Sequence, residues 1–87
     1  MPVTERLTTP SGIAVEFDLW GDLEKNAILL LHGGGQTRHS WNATAEKITQ
    51  ADGCAITMDL RGHGDSDWSN GGEYELRDFS EDVAFLI

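Results

Sequence analysis

Two short apolar runs, Ala27–Leu31 (AILLL) and Cys54–Met58 (CAITM), constrain this chain more than any other feature. Neither alternates between apolar and polar residues. That is the pattern of strands covered on both faces, as in a parallel sheet flanked by helices. Each run is followed by residues unsuited to prolonging it. The first stops at His32 and three glycines, Gly33, Gly34 and Gly35; the second passes through Asp59 and Leu60 into the glycine-rich loop RGHGDSDWSNGGEYE. Between the runs, SWNATAEKITQA places Trp41, Ala45 and Ile48 at helical spacing, with Ser40 positioned to cap the helix and Asp52–Gly53 to end it. Strand, helix and strand in that order predict a parallel pair joined by a right-handed crossover.

Upstream, VTERLTT and IAVEFDLW alternate roughly, and TPSG between them supplies a proline and a glycine for a turn. An antiparallel hairpin is expected there. GDLEKN reads as an exposed polar turn. At the other end, LRDFSEDVAFLI sets Phe79, Val83 and Leu86 on one helical stripe, with Asp78 or Ser80 near its start. No stop signal precedes Ile87, so the sequence reads as cut within this helix. With no repeat and no linker, residues 1–87 are expected to form part of one α/β domain.

Charge narrows the partners. The chain carries 15 acidic and 6 basic residues, a net charge of −9, and most of that excess lies from Asp59 onward. Nucleic acid and anionic membrane surfaces both attract basic patches, so neither is an expected partner. The single Cys54 lies within an apolar strand, without the electropositive surroundings of a reactive thiol, and reads as a buried structural residue. No segment is long and apolar enough to span a membrane, and MPVTERLTT lacks the apolar stretch of a signal peptide. A cytoplasmic location is the expectation.

Glycines directly after a buried strand let backbone N–H groups approach a ligand closely, because no Cβ intervenes. A phosphate or the oxyanion of acyl transfer would each use such a place. For a dinucleotide, GGGQTR supplies the first two glycines of G-x-G-x-x-G, but Arg38 stands at the third. Asp59 lies about where a ribose-binding acid would be expected. No G-x-x-x-x-G-K-[ST] is present. His32, His39 and His63 have no compact metal-ligand spacing, so no metal is expected, and no other cofactor.

LLLHGGGQ followed by MDLRGHGDSD resembles the N-terminal part of the α/β-hydrolase superfamily, over nearly the whole chain. In that family a histidine–glycine motif ends the third strand and D-x-R-G-x-G-x-S follows the fourth. The resemblance implies the first half of the family's sheet: an antiparallel hairpin, then parallel strands with crossover helices, in the order 1-2-4-3-5. It implies that Gly34 donates its N–H to an oxyanion, with Gly35 a second donor. It also implies that His32, Gly33, Asp59, Arg61, Gly62 and Gly64 support the loops, Arg61 by tying down carbonyls or Asp59.

The family's nucleophile stands on a sharp turn after the fifth strand, followed by an acid and a histidine. None of the three occurs here, and Ser66 in GHGDSDW is not in G-x-S-x-G because Trp68 replaces the last glycine. The expected parent is a serine-type hydrolase of small esters or related acyl compounds, taking a small-molecule substrate. An aspartate nucleophile is compatible with the same residues. Two other readings stand beside it: a non-catalytic fragment that acts by pairing with its missing C-terminal half or by self-association through an open sheet edge, and a nucleotide-binding α/β domain.

Overall fold

The computed structural model describes residues 2–22 and 26–86. Four strands form one mixed sheet: β1 (Val3–Thr8), β2 (Ala14–Trp20), β3 (Ala27–Leu31) and β4 (Cys54–Met58), in the order β1-β2-β4-β3. β1 and β2 make the expected hairpin, in register from Val3 opposite Leu19 to Thr8 opposite Ala14. Its turn is closed by the Ile13 carbonyl accepting from Thr9 N–H at 2.8 Å and the Thr9 carbonyl accepting from Gly12 N–H at 2.9 Å. β3 and β4 run parallel from Ala27 opposite Cys54 to Leu31 opposite Met58, while β2 pairs β4 antiparallel from the other side. The strand order is the one the resemblance implies.

Two helices complete the chain, α1 (Asn42–Gln50) and α2 (Leu76–Leu86). Alternation along the strands sorts the core into two clusters. Val15, Phe17 and Met58 pack with Val83 and Leu86 of α2; Trp20, Ala45 and Ala55 pack with Leu30 and Ile48. Ala45 and Ile48 thus do what their helical spacing predicts. The Trp20 indole N–H donates to Thr57 Oγ1 at 3.0 Å, so both buried polar groups are satisfied.

Two expectations change, and one alternative is resolved. β4 is buried, but β3 is not covered on both faces: Ile28 is 50% exposed and Leu31 39%. β3 sits at the margin of the sheet, with β4 on one side only, and α1 reaches Leu30 but leaves Ile28 bare. Ser40 does not cap the first helix. The chain enters a 3-10 turn (Arg38–Trp41) one turn earlier, where Thr37 Oγ1 accepts from His39 N–H, and the Ser40 hydroxyl donates to the Thr37 carbonyl at 2.9 Å. At α2, Asp78 rather than Ser80 serves the start, its carboxylate accepting from Glu75 N–H at 3.0 Å. Residues 23–25 of the expected polar turn GDLEKN, and Ile87, lie outside the described residues. Among the described residues no helix is long and apolar enough to cross a membrane.

Candidate functional site

The glycine loop leaves β3 at its carboxyl end and is anchored at both ends to consecutive residues after β4. His32, 6% exposed, is the first anchor. Its Nε2 accepts from the Leu60 N–H at 3.0 Å, so that nitrogen carries no proton. Nδ1 is then the protonated nitrogen, and it donates to the Gly33 carbonyl at 2.8 Å. The loop closes on itself as a turn: Gln36 N–H donates to the Gly33 carbonyl at 3.1 Å, and Gln36 Oε1 accepts from Gly33 N–H at 3.0 Å. Gly34 and Gly35 remain, and among the described residues neither N–H has an acceptor. Gly35 has φ +78°, which favours a residue without Cβ.

Arg38 is the second anchor, and sequence reasoning missed it. Its N–H donates to Asp59 Oδ1 at 2.6 Å, and its guanidinium pairs with Asp59 Oδ2. The same guanidinium reaches Asp65 at 3.0 Å, Asp18 at 3.1 Å and Glu16 at 3.7 Å. Asp59 is wholly buried and also accepts from the Asp65 N–H at 3.0 Å. Burial alone would raise its pKa, but the two N–H donors and the guanidinium outweigh that and hold it below its ordinary value. Burial likewise works against the Arg38 charge, and the carboxylates of Asp65, Asp59 and Asp18 more than offset it. The acid that a nucleotide reading would place on a ribose is therefore committed to Arg38. A signal for this was present in the sequence: an aspartate ending a buried strand needs a cation.

The segment after β4 is built by the remaining motif residues. Gly64 has φ +51°, and a Cβ there would lie 2.5 Å from Asp59 Cγ. At Gly62, φ +76°, a Cβ would meet Tyr74 at 2.7 Å. Arg61 takes one of its two expected partners. It does tie down a carbonyl, that of Glu73 at 3.1 Å, but its carboxylate partner is Asp82 of α2, not Asp59. Asp82 falls between Phe79 and Val83 on the helix's apolar stripe, which is the sign that could have found it. The Ser66 hydroxyl donates to the Asp59 carbonyl at 2.6 Å and accepts from Glu16 N–H at 2.8 Å, so it pins the loop to β2.

Beside these loops lies a cavity of about 440 Å³ bordered by Leu31, His32, Gly34, Leu60, His63 and Phe79. The His63 ring lies beside that of His32, tilted by 49° with ring centroids 4.9 Å apart; His39 is near Asn42. Among the described residues no group of three potential metal ligands is gathered. Trp68 is 71% exposed.

The family model described as alpha/beta hydrolase fold matches residues 26–87. The chain belongs to the alpha/beta hydrolase fold family. Among alpha/beta hydrolases it is 32% identical to Esterase Rv0045c of Mycobacterium tuberculosis over 87 residues, which is 100% of this chain and 27% of that protein. It is 34% identical to Protein phosphatase methylesterase 1 of Mus musculus over 65 residues, 74% of this chain and 17% of that one. The crystal structure of a hydrolase from Pseudomonas aeruginosa PA01 superposes with a TM-score of 0.86 at 32% identity, over 95% of this chain and 31% of that chain. The alpha/beta hydrolase chain described here thus spans less than a third of each of these relatives.

Proposed function

We propose that this chain is the part of a serine-type alpha/beta hydrolase, acting on small esters or related acyl compounds, that supplies the oxyanion loop. Gly34 and Gly35 are the donors. The observation that carries this reading is that, among the described residues, their two N–H groups have no acceptor, whereas the N–H groups of Gly33 and Gln36 on either side are engaged. Gly34 also borders the cavity. Donors fixed before the reaction cost no reorganisation when charge develops on the substrate oxygen. His32, Gly33, Asp59, Arg61, Gly62 and Gly64 act as supports. Two relatives named as an esterase and a methylesterase favour an ester over the carbon–halogen or epoxide bonds that an aspartate nucleophile would cleave. The substrate is a small molecule, the setting cytoplasmic, and no cofactor takes part. Nucleophile, acid and catalytic histidine are assigned to polypeptide outside these 87 residues.

The test is Gly34→Pro in the intact enzyme that contains this segment. Removing one such donor should lower kcat by about 10²–10³-fold with little change in KM. A folded variant with unchanged kcat would remove Gly34 from the oxyanion site. The 87-residue chain alone should not turn over p-nitrophenyl acetate, for lack of an activated nucleophile.

A second reading, a non-catalytic fragment that pairs through its sheet edge, is supported by one observation: among the described residues the side of β3 away from β4 has no strand beside it, and Ile28 is half exposed. Such an edge is a template for another chain.

A further inference from the structure

The glycine loop is short: Gly33 and Gln36 close it as a turn, and what ties that turn to the sheet lies outside it. One end is held by His32 to Leu60; the other is held by Arg38 to Asp59. The two anchors are unequal in kind. The first is a single hydrogen bond to a backbone N–H. The second is a buried carboxylate that receives two backbone N–H groups, those of Arg38 and Asp65, and one guanidinium. A buried carboxylate keeps its charge, and so its grip on both N–H groups, only while a cation compensates it. Arg38 is that cation, itself 5% exposed and further surrounded by Glu16, Asp18 and Asp65. The guanidinium therefore acts on its own backbone by way of Asp59: it neutralises the acceptor that holds the Arg38 N–H, three residues beyond Gly35.

We infer that Arg38 is the positioning residue of the glycine loop, its side chain holding Asp59 in place so that Asp59 fixes the loop's far end and with it the Gly34 and Gly35 N–H groups. The inference rests on the proposal that those two N–H groups are the working donors, but it concerns how they are held. The geometry is specific to arginine. One planar group reaches Asp59 and Asp65 from Nη1, Asp18 from Nε and Glu16 from Nη2, which a lysine ammonium on a single point of charge does less well. No part of this role requires Arg38 to touch a substrate.

The experiment uses the ¹⁵N-labelled intact enzyme that contains this segment and compares Arg38→Met, Arg38→Lys and, as a control for general destabilisation, Asp82→Asn. In Arg38→Met the backbone N–H groups of residue 38 and Asp65 should exchange with solvent roughly tenfold faster or more, relative to Leu60. The ¹H–¹⁵N nuclear Overhauser effects of Gly34 and Gly35 should fall toward those of a mobile loop. Arg38→Lys should restore part of both signals, and Asp82→Asn should leave Gly34 and Gly35 unchanged. Retention of the Gly34 and Gly35 signals in folded Arg38→Met would overturn the inference, as would an equal loss in Asp82→Asn. If Arg38→Met does not fold, Asp65→Asn decides, because that side chain is 61% exposed and touches the guanidinium at 3.0 Å. A smaller loss of the same sign supports the inference; no change at residue 38 or at Gly34 overturns it. A Gly34→Pro enzyme with full kcat would sink the oxyanion reading and leave these signals as they are, so the two failures are distinguishable.

Discussion

Arg61 and Asp82 meet fork to fork, Nε to Oδ2 and Nη2 to Oδ1, each at 2.7 Å, with both side chains buried. The pair fastens α2 to the segment after β4, and the same guanidinium holds the Glu73 carbonyl just before the helix. The hydrogen bonds to Asp82 hold the Arg61 guanidinium firmly in its charged form. Removing one partner leaves the other charged and dry. Asp82→Asn should therefore cost about 3–5 kcal/mol, a large share of what a small domain has. Arg61→Met combined with Asp82→Leu should recover much of that loss. Urea denaturation of the three proteins measures it; equal losses in the single and double variants would show that the pair's charge is not the issue.

Acid should undo the Asp59 anchor. Burial opposes its charge, but the Arg38 and Asp65 N–H groups and the Arg38 guanidinium hold its folded pKa below the ordinary value of 3.8. For a carboxylate shifted down on folding, the unfolded chain binds the proton first as pH falls. Its contribution is thus complete above pH 3.8 and is lost progressively below that, through the folded value. The urea midpoint measured from neutral pH downward should be level in this respect and then drop. Asp59→Asn should flatten that drop while lowering the plateau. A wild-type slope identical to that of the variant would mean that Asp59 is not the titrating anchor.

The margin of the sheet should make the chain associate. β3 offers five residues, all apolar, with no strand on its outer side among the described residues, and a net charge of −9 slows contact between copies without covering that edge. Sedimentation at micromolar protein and moderate salt should show species larger than a monomer, more so as salt screens the charge. Ile28→Lys should shift the distribution toward monomer. A monomer at all salt concentrations, with the Ala27–Leu31 amides fully protected from exchange, would show the edge to be satisfied within one chain.

What could be read from the sequence was whatever depends on near neighbours and on pattern. The hairpin followed from alternation and TPSG, the parallel pair from two non-alternating runs around one helix, and the loops from the glycines that end them. Ser40 misled because two hydroxyl residues, Thr37 and Ser40, compete to start the same helix, and which one wins depends on where the loop before them is tied. β3 misled because its composition records coverage on both faces, whereas exposure depends on which elements are present beside it. The two buried ion pairs were illegible for another reason. Arg38 finds Asp59 and Arg61 finds Asp82 each across 21 residues, a separation that belongs to the topology and to no local pattern. Asp82 on an apolar stripe and Asp59 at the end of a buried strand were the visible halves of each pair.

The space above Asp59 is filled to the point that residue 64 has no room for a β-carbon. Every missense change of a glycine codon installs one. The position therefore has no tolerated neighbours in genetic space, whatever the cell asks of the protein, and selection on folding alone would return glycine there. The second glycine of G-H-G is thus written by the acid that ends the preceding strand. A reader of genomes who takes it as a mark of catalysis is reading the outline of a carboxylate.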